Sequence, residues 1–135
     1  TLDATAPRIF RALVEATAFG SKAIVDRFTE EGIEIKEVIG LGGVAKKSPF
    51  VMQTLADVLN MPIKIAKTEQ TCASGAAMFA AVAGGVYHKI EDAQKAMGKG
   101  IEKTFTPIKE NVNRYTYLYK EYLKLGNFIN SSENN

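Results

Sequence analysis

The sequence predicts an α/β fold in which short parallel strands are flanked by helices, and three observations carry that prediction. Apolar residues recur at three- and four-residue spacing over several long segments, short β-branched runs fall between those segments, and the pieces alternate helix, strand, helix, strand, helix. Parallel strands need a crossover between them, which a helix usually supplies. Two such strands make a poor sheet alone, because parallel strands take cover on both faces and neighbours on both edges. The pair is therefore expected to belong to a larger sheet, completed by further chain or by a partner. The sequence has no initiating methionine and runs from Thr1 into a helical pattern within a few residues, so it reads as part of a longer polypeptide, truncated at the N-terminus.

The first element spans Pro7 to about Glu30, where Ile9, Phe10, Leu13, Ala16, Ala23, Ile24 and Phe28 form one amphipathic face. Pro7 suits a first turn and Gly32 a C-terminal stop. Arg11 and Glu15 lie one turn apart and predict an exposed ion pair. Ile35 to Ile39 reads as a strand. Ser48 is a candidate cap with Pro49 at the first helical position, opening a helix that carries Phe50, Val51, Leu55, Val58 and Leu59 and stops before Met61-Pro62. Ile63 to Ile65 reads as a second strand. Cys72 to Val86 predicts a small-residue helix suited to close packing. Ile90 to Met97 predicts a shorter one, with Glu91 and Asp92 in its first turn. The last helix runs from Pro107 to about Leu125, and its stripe of Ile108, Val112, Tyr115, Leu118, Tyr119 and Tyr122 is expected in a core or interface. Residues 127–135 are expected to form a disordered tail after one folded unit, residues 1–126.

Composition narrows the function. The chain has 135 residues, 46% of them hydrophobic and 24% charged, as expected of an ordinary globular domain. A net charge of +2 gives no footprint for nucleic acid or an anionic membrane. The single cysteine, Cys72, excludes an internal disulfide and fits a reducing cytoplasm, with its thiol packed or inert. The longest apolar run, Ala76 to Val86, is broken by Gly84 and Gly85 and is too short to span a bilayer. With His88 the only histidine and expected at the surface, a zinc site or a Cys–His nucleophile is not expected. Phosphoryl transfer calls for a positioned carboxylate, yet Asp3, Asp26, Asp57 and Asp92 all fall in or beside helices, on faces read as charged. No catalytic residue and no metal ligand is therefore assigned, and turnover by this chain alone is not expected. An exposed sheet edge invites self-association, so a homo-oligomer is one expectation.

The most informative stretch is Val38-Ile39-Gly40-Leu41-Gly42-Gly43-Val44-Ala45-Lys46-Lys47-Ser48-Pro49. An apolar run ends in closely spaced glycines, where the backbone can bend sharply and a flat or phosphorylated ligand can approach the main chain. A helix opening beyond the bend adds unpaired N–H groups and the positive end of its dipole. Lys46 and Lys47 could neutralise phosphate or flank an adenine, or simply be solvated. Gly40 to Ala45 satisfies the letters of the dinucleotide pattern. In that fold, however, the helix begins at the second glycine and an acid closes the second strand, whereas here the helix is expected at Ser48 and the strand is followed by Ala66 and Lys67. A Walker A loop is absent. Three readings stay open on the residues: a nucleotide pocket wall, a dinucleotide-binding module, and a helical interaction module with a purely structural glycine turn.

Several segments together resemble the C-terminal portion of sugar kinases of the FGGY type, over nearly the whole chain. Pro7 to Gly20 looks like the helix entering the nucleotide lobe. Gly40 to Pro49, followed by Met52-Gln53 and Ala56-Asp57-Val58-Leu59, is similar to the family's adenosine-binding motif. Thr71 to Ala77 looks like the helix packed behind it, and Phe105-Thr106-Pro107 with Tyr115, Leu118-Tyr119 and Tyr122 is similar to the C-terminus of a ketopentose kinase of that family. The resemblance implies an actin-like ATPase (ribonuclease H-like) domain. It implies backbone at Gly42 and Gly43 facing the adenosine and α-phosphate, with Val44 beside them and Lys46 or Lys47 against the base. Where relatives carry asparagine or serine after the glycines, this chain carries the lysines. The implied reaction transfers the ATP γ-phosphate, with Mg²⁺, to a ketopentose such as L-ribulose. The sugar site, phosphate loops and base would lie earlier in the polypeptide, which makes its N-terminal part an expected partner of this lobe.

Overall fold

A computed structural model describes residues 4–133. Asp3 and the end of the expected tail, residues 134–135, lie outside the described residues. The element order is α1 (Ala6–Glu30), β1 (Val38–Gly40), α2 (Gly42–Lys47), α3 (Pro49–Leu59), β2 (Ile63–Ala66), α4 (Thr71–Ala83), α5 (Ile90–Met97), β3 (Ile101–Phe105) and α6 (Lys109–Glu133).

The centre of the fold is α3. Ser48 caps it, its Oγ accepting from Val51 N at 3.4 Å, with Pro49 in the first turn. Asn60 ends the helix in the left-handed region at φ 52°. One side of α3 covers the sheet, joining Met52, Ala56 and Leu59 to Ile63 and Ile65 of β2, Phe105 of β3 and Ala45 of α2. The other side meets α1 and α6, where Val58 packs with Ala18, Phe19, Tyr115 and Tyr119. Phe19 lies edge-on to Tyr115, with ring centroids 6.1 Å apart, and tilted against Tyr119 at 5.9 Å. On the sheet side Ile63 is fully buried, a burial worth about 2–3 kcal/mol.

The sheet runs β1-β2-β3. β1 and β2 are parallel, with Val38 opposite Ile63 and Gly40 opposite Ile65, as the crossover argument predicts. β3 is antiparallel to β2, so the sheet is mixed, and this strand was not predicted. Its interior residues Glu102 and Lys103 hide the signal, since a strand with one free edge tolerates charge that a central strand would not.

Other boundaries differ from expectation. β1 starts at Val38 rather than Ile35. A short helix, α2, begins at Gly42, where a loop had been expected to run on to Ser48. The last helix does not stop near Leu125: residues 127–133, expected as a disordered tail, continue it. Leu125, Phe128 and Ile129 keep helical spacing there, and the Ser131 and Ser132 hydroxyls donate back to Phe128 O and Ile129 O. The alanine-rich α4 has no fully buried residue and packs chiefly on α5, and Cys72 on it is exposed rather than packed.

Two polar clusters hold the helices in place. Arg11 Nε donates to Glu15 Oε1 at 2.7 Å, and the Tyr115 hydroxyl donates to the same oxygen at 3.0 Å, tying α1 to α6. The predicted ion pair is thus part of a packed junction. Asp57, read as lying on a charged face, is 2% exposed. Its carboxylate accepts from Gln53 Nε2 at 2.9 Å, from Ile108 N at 2.8 Å and from Asn111 Nδ2 at 2.8 Å, so α3 supplies the anion that caps α6.

Candidate functional site

The glycine bend lies where β1 leaves the sheet. At Gly40 the strand passes so close to its neighbours that an added Cβ would sit 2.8 Å from Ile65 Cδ1 and 3.3 Å from Ala45 Cβ. Leu41 is extended, and the chain then turns into α2 through Gly42 at φ +80°, a conformation that favours glycine. Ala45 is buried against α3 and the sheet and pins the short helix. That anchoring leaves Gly43, Val44 and Lys47 exposed, with Gly42 half-buried. The bend is open to solvent, as a ligand wall requires.

Gly42, Gly43, Lys46 and Lys47 line one depression of about 460 Å³, with Glu69 from the segment between β2 and α4. Val44 stands beside it and is not part of the lining. The two lysines differ. Lys46 Nζ donates to Lys67 O at 2.8 Å and pairs with Glu102 Oε2 at 3.2 Å, and its side chain is only 19% exposed. Lys47 is exposed. Adjoining through Leu41 and Thr68 is a second hollow of about 370 Å³, walled by Ile39, Ala66, Met78 and Ile101 and rimmed by Thr71 and Ser74. A cationic bend beside an apolar slot offers what a phosphorylated molecule with a flat ring would use. The sequence reading missed the contribution of Glu69 and of β3. The helix opening at Thr71, already singled out as lying behind the bend, was the signal that this segment contributes.

Asp57 is fully committed to its cap, Asp26 pairs with Lys22 Nζ at 3.0 Å, and Asp92 lies in the first turn of α5. His88 is exposed. No three His, Cys, Asp or Glu side chains converge as metal ligands among the described residues, and no described helix is long and apolar enough to cross a membrane.

Residues 1–84 match the model of the FGGY family of carbohydrate kinases, C-terminal domain. The chain is 49% identical over 138 aligned positions to a ribulokinase of Anoxybacillus flavithermus, covering 99% of this chain and 24% of that protein. It therefore spans about a quarter of that relative's length. Among solved structures, the xylulose kinase from Rhodospirillum rubrum superposes with a TM-score of 0.83 at 24% identity, over 100% of this chain and 27% of the other. Plasmodium falciparum glycerol kinase with ADP gives 0.72 at 24% identity, over 92% and 25%.

Proposed function

Since this chain belongs to the FGGY family of carbohydrate kinases, we propose that it forms the nucleotide-binding lobe of an ATP-dependent kinase whose acceptor is a ketopentose, L-ribulose first. Its α/β fold is that of the actin-like ATPase domain of these kinases. The observation that carries the reading is the open bend, whose Gly42 and Gly43 backbone borders a depression with Lys47 on its rim. The ADP named with the glycerol kinase and the ribulokinase name of the 49% identical relative support the nucleotide and the acceptor respectively.

In this reading the adenine enters the apolar hollow beneath Leu41, the Gly42 and Gly43 amides face the α-phosphate, and Val44 borders the ligand. Lys47 neutralises charge, while Lys46 is held by protein partners. Bound ATP with Mg²⁺ supplies the transferable phosphoryl group. In this reading that metal is held by the nucleotide's phosphates and by the N-terminal part of the longer kinase. The same part supplies the sugar site and the base. The lobe alone binds nucleotide weakly and does not turn over, and the kinase works in the cytoplasm. The dinucleotide reading gains nothing from the helix that does begin at Gly42, because α2 has only 6 residues.

Gly43 is the position to test. A Cβ there meets nothing within 4 Å, and its φ is not left-handed, so a larger side chain enters the depression without straining the fold. Gly43→Leu in the full-length kinase should raise the KM for ATP by about tenfold or more, with a thermal midpoint no lower than wild type and little change in kcat at saturating ATP. An unchanged KM for ATP would remove the bend from the nucleotide site. Comparing kcat/KM for L-ribulose and D-xylulose tests the acceptor.

A further inference from the structure

The two lysines of the bend are neighbours in sequence but differ in environment, and the difference points to a division of labour. Three separate segments meet at Lys46 Nζ. It donates to Lys67 O at 2.8 Å, just after β2, and it pairs with Glu102 Oε2 at 3.2 Å on β3. The third segment is α2 itself, which carries Lys46 together with the bend. Lys67 N in turn donates to Gly100 O at 3.0 Å, joining the segment after β2 to the one that leads into β3. Glu69, which lines the depression together with Gly42 and Gly43, is two residues beyond Lys67. Lys46, itself part of the lining, therefore links the two segments that border the depression.

We infer that Lys46 is a positioning residue: its ammonium fixes the separation between the Gly42–Gly43 backbone and the Lys67–Glu69 segment, and Lys47 is left as the cation available to the ligand. This inference rests on the nucleotide reading above and deepens it. α2 is short, and among its residues only Ala45 is anchored in the core. A six-residue helix has little stability of its own, so a charge-assisted contact at its last turn holds a disproportionate share of its placement. Glu102 gives the inference its sharpest consequence. It does not line the depression and meets it through Lys46; a direct effect of its charge on an anionic ligand has the opposite sign, since losing the carboxylate would then tighten binding.

The test uses the full-length kinase, with ADP as the probe, by calorimetric titration. Lys46→Met should weaken ADP binding by about five- to tenfold, and Lys46→Arg, which keeps donors for both partners, should stay within about twofold of wild type. Glu102→Gln should weaken ADP by about twofold, as expected for a half-exposed ion pair, and should add nothing when combined with Lys46→Met. Hydrogen exchange without nucleotide supplies a second readout: Lys46→Met should speed exchange at Gly42–Lys47 and at Lys67–Gln70 while α3 stays protected. Glu102→Gln changes only an exposed side chain and keeps the test alive should Lys46→Met fail to fold. If Glu102→Gln binds ADP as wild type does while Lys46→Met loses affinity, Lys46 touches the ligand and the inference is overturned. Unchanged exchange in Lys46→Met also overturns it. If wild type binds no ADP, the nucleotide reading fails, and the exchange result still decides whether Lys46 holds the two segments together.

Discussion

Truncating Asp57 tests whether the C-terminal helix is held in place by one buried carboxylate. In Asp57→Ala the Ile108 amide, Asn111 and Gln53 all lose an anionic acceptor. The three losses are unequal. Gln53 Nε2 keeps Thr106 O at 2.8 Å, and Asn111 is half-buried and can turn towards water. The cost is then dominated by the Ile108 N–H at the entrance to α6 and by the space emptied beneath it. A charged hydrogen bond and a small cavity together give about 2–3 kcal/mol, to which the lost anion at a helix N-terminus adds a few tenths. Asp57→Asn keeps one acceptor oxygen and the volume, and should cost about 1 kcal/mol. Because a multidomain kinase need not unfold in one step, the appropriate assay is native-state hydrogen exchange over the first two turns of α6. Protection there should fall by about 50- to 250-fold in the alanine variant and by about fivefold in the asparagine variant. A change under about threefold in Asp57→Ala would show that the aromatic contacts of Phe19, Tyr115 and Tyr119 suffice to hold the helix, and that the carboxylate is incidental.

Two further outcomes follow from the same coordinates. Gly40→Ala places a methyl group 2.8 Å from Ile65 Cδ1 and 3.5 Å from Met52 Sδ; shifting that core should cost about 1–3 kcal/mol and lower the thermal midpoint, unlike Gly43→Leu. Burial and a hydrogen bond to Asp26 push the Tyr119 hydroxyl up from 10.0 to about 12. Its contribution to stability is complete below pH 10, the unfolded value, and is lost as pH rises through about 12. Burial raises the Tyr115 hydroxyl as well, so absorbance titration should show late-ionising tyrosines, one fewer in Tyr119→Phe, and that variant should destabilise less steeply than wild type between those pH values.

Much of the architecture was legible because periodicity and caps agreed. Pro7 and Gly32 bracket α1, Ser48-Pro49 opens α3, and Ile63 to Ile65 alternates between core and solvent as a half-covered strand should. The aromatic stripe was read as core or interface, and Tyr115 and Tyr119 are buried, although Tyr122 and Ile108 remain exposed. What escaped depends on distant partners. β3 has charge in its middle and exists because β2 offers it an edge. Asp57 looks like a surface acid from its helix and becomes a cap only because α6 returns across α3, 51 residues later along the chain to Ile108. Lys46 and Lys47 are equivalent as letters, and β3, the unpredicted strand, carries the glutamate that separates them.

The glycines of the bend show why such a motif is readable while its ligand contacts are not. Gly40 is required by packing, since a side chain there would overlap Ile65. Gly42 is required by conformation, since its φ of +80° disfavours any other residue. Neither reason applies to Gly43. Open space surrounds its missing Cβ, its φ is not left-handed, and within α2 a glycine costs up to about 1 kcal/mol relative to alanine. The chain's own packing therefore gives no reason for glycine at that position and a small one against it. Close approach of a ligand to the main chain is the reason that the proposed nucleotide site supplies, and it makes Gly43, rather than the more constrained glycines before it, the residue on which that proposal stands.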